Sequence, residues 1–202
     1  MLFRSTANPK IQKGTKKGYL SFILHLAPAD LSGKETCPKR TAGWTAACLN
    51  TAGRGGMFKR GENTNVIQQA RIRKTRMFFE QRDEFMLNLV NDINLGIRQA
   101  KRLGLTPVFR LNGTSDIKWE NVTFEHTFAN NKTRIVTIFE VFPEIQFYDY
   151  TKIANRDNLP SNYDLTFSYS GVLSYQKYVN IAIAKGMRIA AVFRSEKLIP
   201  KK

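Results

Sequence analysis

Acidic side chains are scarce in this chain of 202 residues: 16 Asp and Glu stand against 32 Lys and Arg, a formal charge of +16. Such a balance favours polyanionic partners through attraction and counterion release, with nucleic acid the first candidate. It fits a solvated basic surface equally well. Cysteine and histidine are scarcer still, at two each. Two cysteines with ten residues between them make no disulfide framework, and a reducing compartment is expected. His25 and His126 are not at ligand spacing from either cysteine, so neither a strong zinc pattern nor a Cys/His or Ser/His/Asp catalytic arrangement can be assembled. Long apolar runs are also missing. The longest, around Tyr19 to Ala29, is too short to span a bilayer, and the amino terminus lacks the order of a secretory signal. No membrane partner is expected.

What is present is clustered charge and a regular alternation of elements. Lys10, Lys13, Lys16 and Lys17 lie in a polar, aperiodic stretch, so residues 1–17 are expected to form a flexible basic arm. Arg71, Arg73, Lys74 and Arg76 form a second cluster. Lys13, Lys16 and Lys17 with these four are the candidate nucleic-acid contacts. Residues 18–202 are expected to make one α/β domain. Tyr19 to Leu26 is rich in strand formers and apolar almost throughout, as a strand covered on both faces would be. Asn63-Thr64-Asn65 supplies capping residues before two helical stretches, Val66 to Phe79 and Arg82 to Leu103, and Gly104 closes the second. Thr106 to Leu111 is the next strand. Thr133 to Phe142 is expected to be helical, Glu144 to Tyr150 a strand, Tyr163 to Ser170 a strand, Ser174 to Lys185 a helix and Met187 to Phe193 a strand. Alternation of this kind predicts βα units and a mostly parallel sheet, open or curved into a partial, TIM-like barrel.

A parallel sheet collects the carboxyl ends of its strands at one edge, where ligands bind. That edge is unusually polar here. Cys37 and Cys48 follow the first strand, Arg110, Asn112 and Asp116 the second, and Asp149 and Lys152 the third. The five polar residues are the candidate catalytic set, and the cysteines are candidate metal ligands or two small buried apolar residues. Gly53, Arg54 and Gly55 could present backbone N–H groups and one charge to a cofactor's phosphate, without the full P-loop pattern.

Several segments together resemble a known family: Gly18-Tyr19, Leu24-His25-Leu26-Ala27-Pro28-Ala29, Thr36-Cys37-Pro38, Ala46-Ala47-Cys48-Leu49, Arg110 to Asp116 and Phe147 to Lys152. Nearly the whole chain is similar to bacteriophage proteins related to the "gene product 88" group, which has no settled activity to carry over. The resemblance implies a third cysteine where this chain has Trp44. Three cysteines after the first strand of a partial barrel look like the cluster-binding loop of radical S-adenosylmethionine enzymes. On that likeness Cys37 and Cys48 would be the surviving ligands of an iron–sulfur cluster or zinc site that relatives hold and this chain has degenerated. The resemblance also implies an acidic segment after the last strand, hence a chain truncated at its carboxyl end, and a location in the host cytoplasm. The second expectation, from a different class, is a nucleic-acid-binding accessory protein in phage DNA replication or host takeover.

Overall fold

The run Tyr19–Leu24 is buried from Leu20 onward, so both of its faces are covered, as its unbroken apolar character demands. The computed structural model describes residues 2–4, 9–40, 48, 65–169, 171–191 and 195. In chain order its elements are β1 (Phe3–Arg4), α1 (Pro9–Thr15), β2 (Tyr19–Leu24), α2 (Ala29–Ser32), α3 (Val66–Glu80), α4 (Arg82–Arg102), β3 (Thr106–Arg110), β4 (Thr123–Thr127), β5 (Thr133–Thr137), α5 (Ile138–Val141), β6 (Gln146–Thr151), β7 (Tyr163–Ser168), α6 (Gln176–Ala184) and β8 (Arg188–Ala190). The main sheet has the order β1-β2-β3-β6-β7-β8, and β4 pairs with β5 in a small separate sheet. Within the main sheet β2, β3, β6, β7 and β8 are parallel to their neighbours, and β1 runs antiparallel to β2. This is the mixed α/β, mostly parallel architecture that the alternation predicts.

Register puts Phe22 beside Phe109 and Phe109 beside Phe147 on one face of the sheet. Phe22 and Phe109 stack with centroids 4.9 Å apart. Helix α4 crosses this pair at Gly96, where a Cβ would stand 2.9 Å from Phe109 Cζ and 3.1 Å from Phe22 Cζ. The helix can approach only because that residue has no side chain. Its buried stripe, Phe85, Met86, Leu89, Val90, Ile93, Gly96 and Ala100, follows the 3.6-residue period. Asn65 caps α3 by accepting the N–H groups of Ile67 at 3.2 Å and Gln68 at 3.1 Å.

Two expectations need correction. The first residues are not a bare arm: Phe3–Arg4 adds a strand to β2, and Leu2 and Phe3 are buried. The Leu2 N–H donates to Asp92 on α4, and its carbonyl accepts from Lys74 on α3 at 2.9 Å. Phe3 supplies the apolar area that anchors the segment, packing edge-on against Phe109 at 5.3 Å. Pro9–Thr15 is helical. Nor is Thr133 to Phe142 one helix. Its β-branched first half pairs with Thr123–Thr127 as β5, and the helix begins only after Thr137, whose side chain and backbone form a capping box with Glu140. Among the described residues no helix is long and apolar enough to cross a membrane.

Gly96→Ala should cost about 1–3 kcal/mol of stability in urea unfolding, because its Cβ alone meets two ring edges in a filled core, and Gly96→Val should cost more. Equal, small effects of the two substitutions would contradict the close approach.

Candidate functional site

The parallel strands end in polar residues that the fold turns to two different uses. Asp149, on the inward face of β6 with Phe147, is 1% exposed. Its Oδ1 accepts the Asn112 N–H at 2.8 Å, and its Oδ2 accepts the Leu111 N–H at 3.3 Å and the Tyr163 hydroxyl at 3.0 Å. Arg110 Nε lies 3.6 Å from Oδ1. Burial pushes the Asp149 carboxyl up to about 7, against the pull of Arg110, the Asn112 N–H and Tyr163. Burial together with Asp149 likewise raises the Tyr163 phenol, which stays a donor. Asp149 therefore holds the end of β3 in place and does not face solvent.

Beyond Arg110 the chain folds back as a tight turn. Asn112 Oδ1 accepts from Ser115 Oγ at 2.8 Å, the Ile117 N–H at 3.0 Å and Trp119 Nε1 at 3.2 Å. The turn is stitched to the segment after β2: Gly113 N–H donates to Leu24 O at 2.9 Å, Thr114 Oγ1 to Leu26 O at 2.6 Å and Asp116 N–H to Thr36 O at 2.8 Å. At Gly113 a Cβ would lie 2.5 Å from the Leu24 carbonyl, so only glycine fits this crossing. Asp116 then reaches β6, accepting from Thr151 Oγ1 at 2.7 Å and the Lys152 N–H at 2.8 Å. Burial raises its carboxyl, while those donors and Arg156 oppose the rise.

Sequence reasoning missed Arg156, Glu120 and Tyr163. Arg156 is fully buried, donating through Nε to Glu120 Oε1 at 2.8 Å and through Nη2 to Oε2, with Nη1 3.7 Å from Asp116. Its guanidinium lies over the Tyr163 ring, 5.6 Å from the centroid. Glu120 and Arg156 are 36 residues apart in ordinary polar segments, so no spacing signals the pair. Tyr163 was half legible, since it shares a face with Leu165 and Phe167 in an alternating strand.

These supports frame a cleft of about 160 Å3 at the carboxyl ends of β3, β6 and β7. That is close to the volume that holds a benzene-sized molecule. Arg110, Asn112, Asp116, Lys152, Cys37 and Cys48 all line it, together with Lys39, Arg40, Tyr150 and Ser168. Arg110 donates to the Asn112 carbonyl at 3.2 Å and lies 5.0 Å from the Tyr150 ring centroid. Lys152 Nζ donates to Ser168 O at 3.1 Å, and burial lowers this amine to about 8 despite the nearby Asp116. Lys39 contacts Tyr178 on α6, and Arg40 pairs with Glu35 at 3.1 Å. His25, at the end of β2, is brought down to about 3 by burial and by Arg71, Lys74 and Arg110, so it is neutral at ordinary pH.

The cysteines share this wall. Cys37 is a thiol turned to the Thr114 carbonyl at 3.7 Å, and burial pushes it up to about 12. Among the described residues no three His, Cys, Asp or Glu side chains stand together as metal ligands. Two thiols supply half of a tetrahedral set, and the residues described do not fit a cluster. Trp44, Gly53, Arg54 and Gly55 lie outside the described residues. The structure does not bring the two basic clusters together. Lys13, Lys16 and Lys17 are exposed just before β2. Arg71, Arg73, Lys74 and Arg76 belong to α3, which meets the chain beyond the other end of that strand through Thr75 Oγ1 and the Ala27 N–H, 2.7 Å apart. Lys74 is occupied in holding Leu2.

A family model described as gene product 88 matches residues 1–202. No curated protein and no solved structure matches the chain.

Removing one partner of the buried pair, Glu120→Ala, should cost about 3–5 kcal/mol by stranding the Arg156 charge, and adding Arg156→Met should recover much of it in urea unfolding. A loss under about 1 kcal/mol would contradict the burial. A second test uses pH. The Asp149 carboxyl titrates at about 7 in the fold against 3.8 in the open chain, so its proton stabilises the fold fully below pH 3.8 and progressively less as pH rises to about 7. His25 has the opposite slope: the open chain takes up its proton below 6.5, and stability is lost as pH falls towards 3. Asp149→Asn removes the first of these contributions, so its stability should fall relative to the wild type on acidification from about pH 7 to 4, the two curves diverging by up to about 4 kcal/mol. Parallel curves would show that Asp149 titrates normally.

Proposed function

The chain belongs to the phage-type gene product 88 family over its whole length, and we propose that it binds a small anionic compound in the cleft at the carboxyl edge of its sheet. One observation carries this: the cleft is lined by Arg110, Lys152, Lys39 and Arg40, while Asp116 on the same wall and Asp149 behind it have their oxygens turned to protein donors. Asp149 and Asp116 are positioning residues, and Asn112 shapes the turn. Arg110 is the first residue expected to touch the ligand. Its planar fork suits a carboxylate or phosphate, and its backing by Asp149 and Tyr150 limits the rotamer freedom lost on binding. The sequential strand order from β2 to β8 supports a finer view of the sheet as a barrel segment, with Arg110, Tyr150 and Lys152 at its mouth.

Malonate and inorganic phosphate serve as probes. Either should bind in titration calorimetry and raise the melting temperature, and Lys39→Gln with Arg40→Gln should weaken binding by about tenfold or more, given 1.5–3 kcal/mol for a charged hydrogen bond. No binding of either anion at millimolar concentration would overturn the proposal.

A further inference from the structure

Lys152 stands apart from the other cations of the cleft in how its main chain is held. Both oxygens of one buried carboxylate fix it: Asp116 Oδ2 takes its N–H at 2.8 Å, and Asp116 Oδ1 takes the hydroxyl of the preceding Thr151 at 2.7 Å. Thr151 Oγ1 in turn accepts the following Ile153 N–H at 3.0 Å. The side chain leaves this clamp along the cleft wall, half-buried, and its Nζ reaches the last carbonyl of β7, Ser168 O, at 3.1 Å. An ammonium serving only as a point charge needs no such fixed origin. A nucleophile does, because attack on a bound carbon requires a reproducible approach.

We propose that Lys152 is a nucleophile toward short aldehydes or ketones that carry a carboxylate or phosphate. This deepens the anion-binding proposal and rests on it, since Arg110 would hold the anionic end and leave the carbonyl carbon beside Nζ. The neutral amine adds to the carbonyl: a C–N bond forms, the C=O π pair moves to oxygen, and that oxygen takes up a proton. That proton is replaced by the first N–H proton to give the carbinolamine, and the second N–H proton leaves with the hydroxyl as water, so amine and carbonyl become imine and one water with no oxidant or reductant. Partial burial favours the uncharged amine that begins this sequence, against the pull of Asp116.

The test treats the full chain with glyoxylate and, separately, with glyceraldehyde 3-phosphate at pH 7.5 and fixes any imine with cyanoborohydride. Peptide mass spectrometry then locates the adduct, and malonate binding is measured in parallel. The expected result is modification of Lys152 at least about tenfold faster than of any other lysine, as its larger neutral fraction predicts, slowed by malonate and absent at that position in Lys152→Arg. The preferred probe tells carboxylate from phosphate. Malonate binding with adducts spread evenly over surface lysines would overturn the nucleophile and leave the anion site standing. Absence of selective modification, with neither malonate nor inorganic phosphate bound, would overturn the two together.

Discussion

The carboxyl edge of the sheet depends on the buried side chain of Asp149. It gathers two backbone N–H groups from the segment after β3, a phenol from β7 and the guanidinium of Arg110 around a group 1% exposed. A lone buried carboxylate is costly, and here the cost is offset by hydrogen bonds that exist only when β3, β6 and β7 are in register. Asp149 thereby converts strand pairing into the position of a particular cation. Without it, Arg110 would have neither a fixed direction nor the neighbour that balances its charge.

Asp116 and Arg156 repeat the device one layer further out. Asp116 joins the turn after β3 to the end of β6, and Arg156 joins Asp116 to Glu120 across the face of Tyr163. Acidic residues are rare in this chain, and three of them, Asp149, Asp116 and Glu120, are spent inside this one network. The basic residues at the same edge are left to line the cleft, which gives the +16 chain a local reason for positive charge that does not require a polyanion.

Much of this was legible in the sequence. The two long helices, the strands β2, β3, β6, β7 and β8 and the polar edge followed from period, capping and alternation, and Arg110, Asn112, Asp116 and Lys152 were placed together from topology alone. The sequence could not separate lining from support, because Asp149 and Lys152 look alike as polar residues at a strand end, and only the inward register of Asp149 with Phe147 distinguishes them. Arg156 and Glu120 were invisible because nothing local marks a pair so far apart in sequence. The first residues misled because a two-residue strand has no period, and its burial is decided by Phe3 meeting Phe109 more than a hundred residues away. Thr137-x-x-Glu140 carried the signal that would have divided residues 133–142 correctly.

Asp149 acts as a buried carboxyl that positions Arg110. Nuclear magnetic resonance titration of the Asp149 side-chain carbon, followed together with the Arg110 Nε–H resonance, tests this directly. A shared midpoint at about 7 is expected for both signals. A carboxyl midpoint near 4, with an Arg110 resonance that does not move, would contradict it.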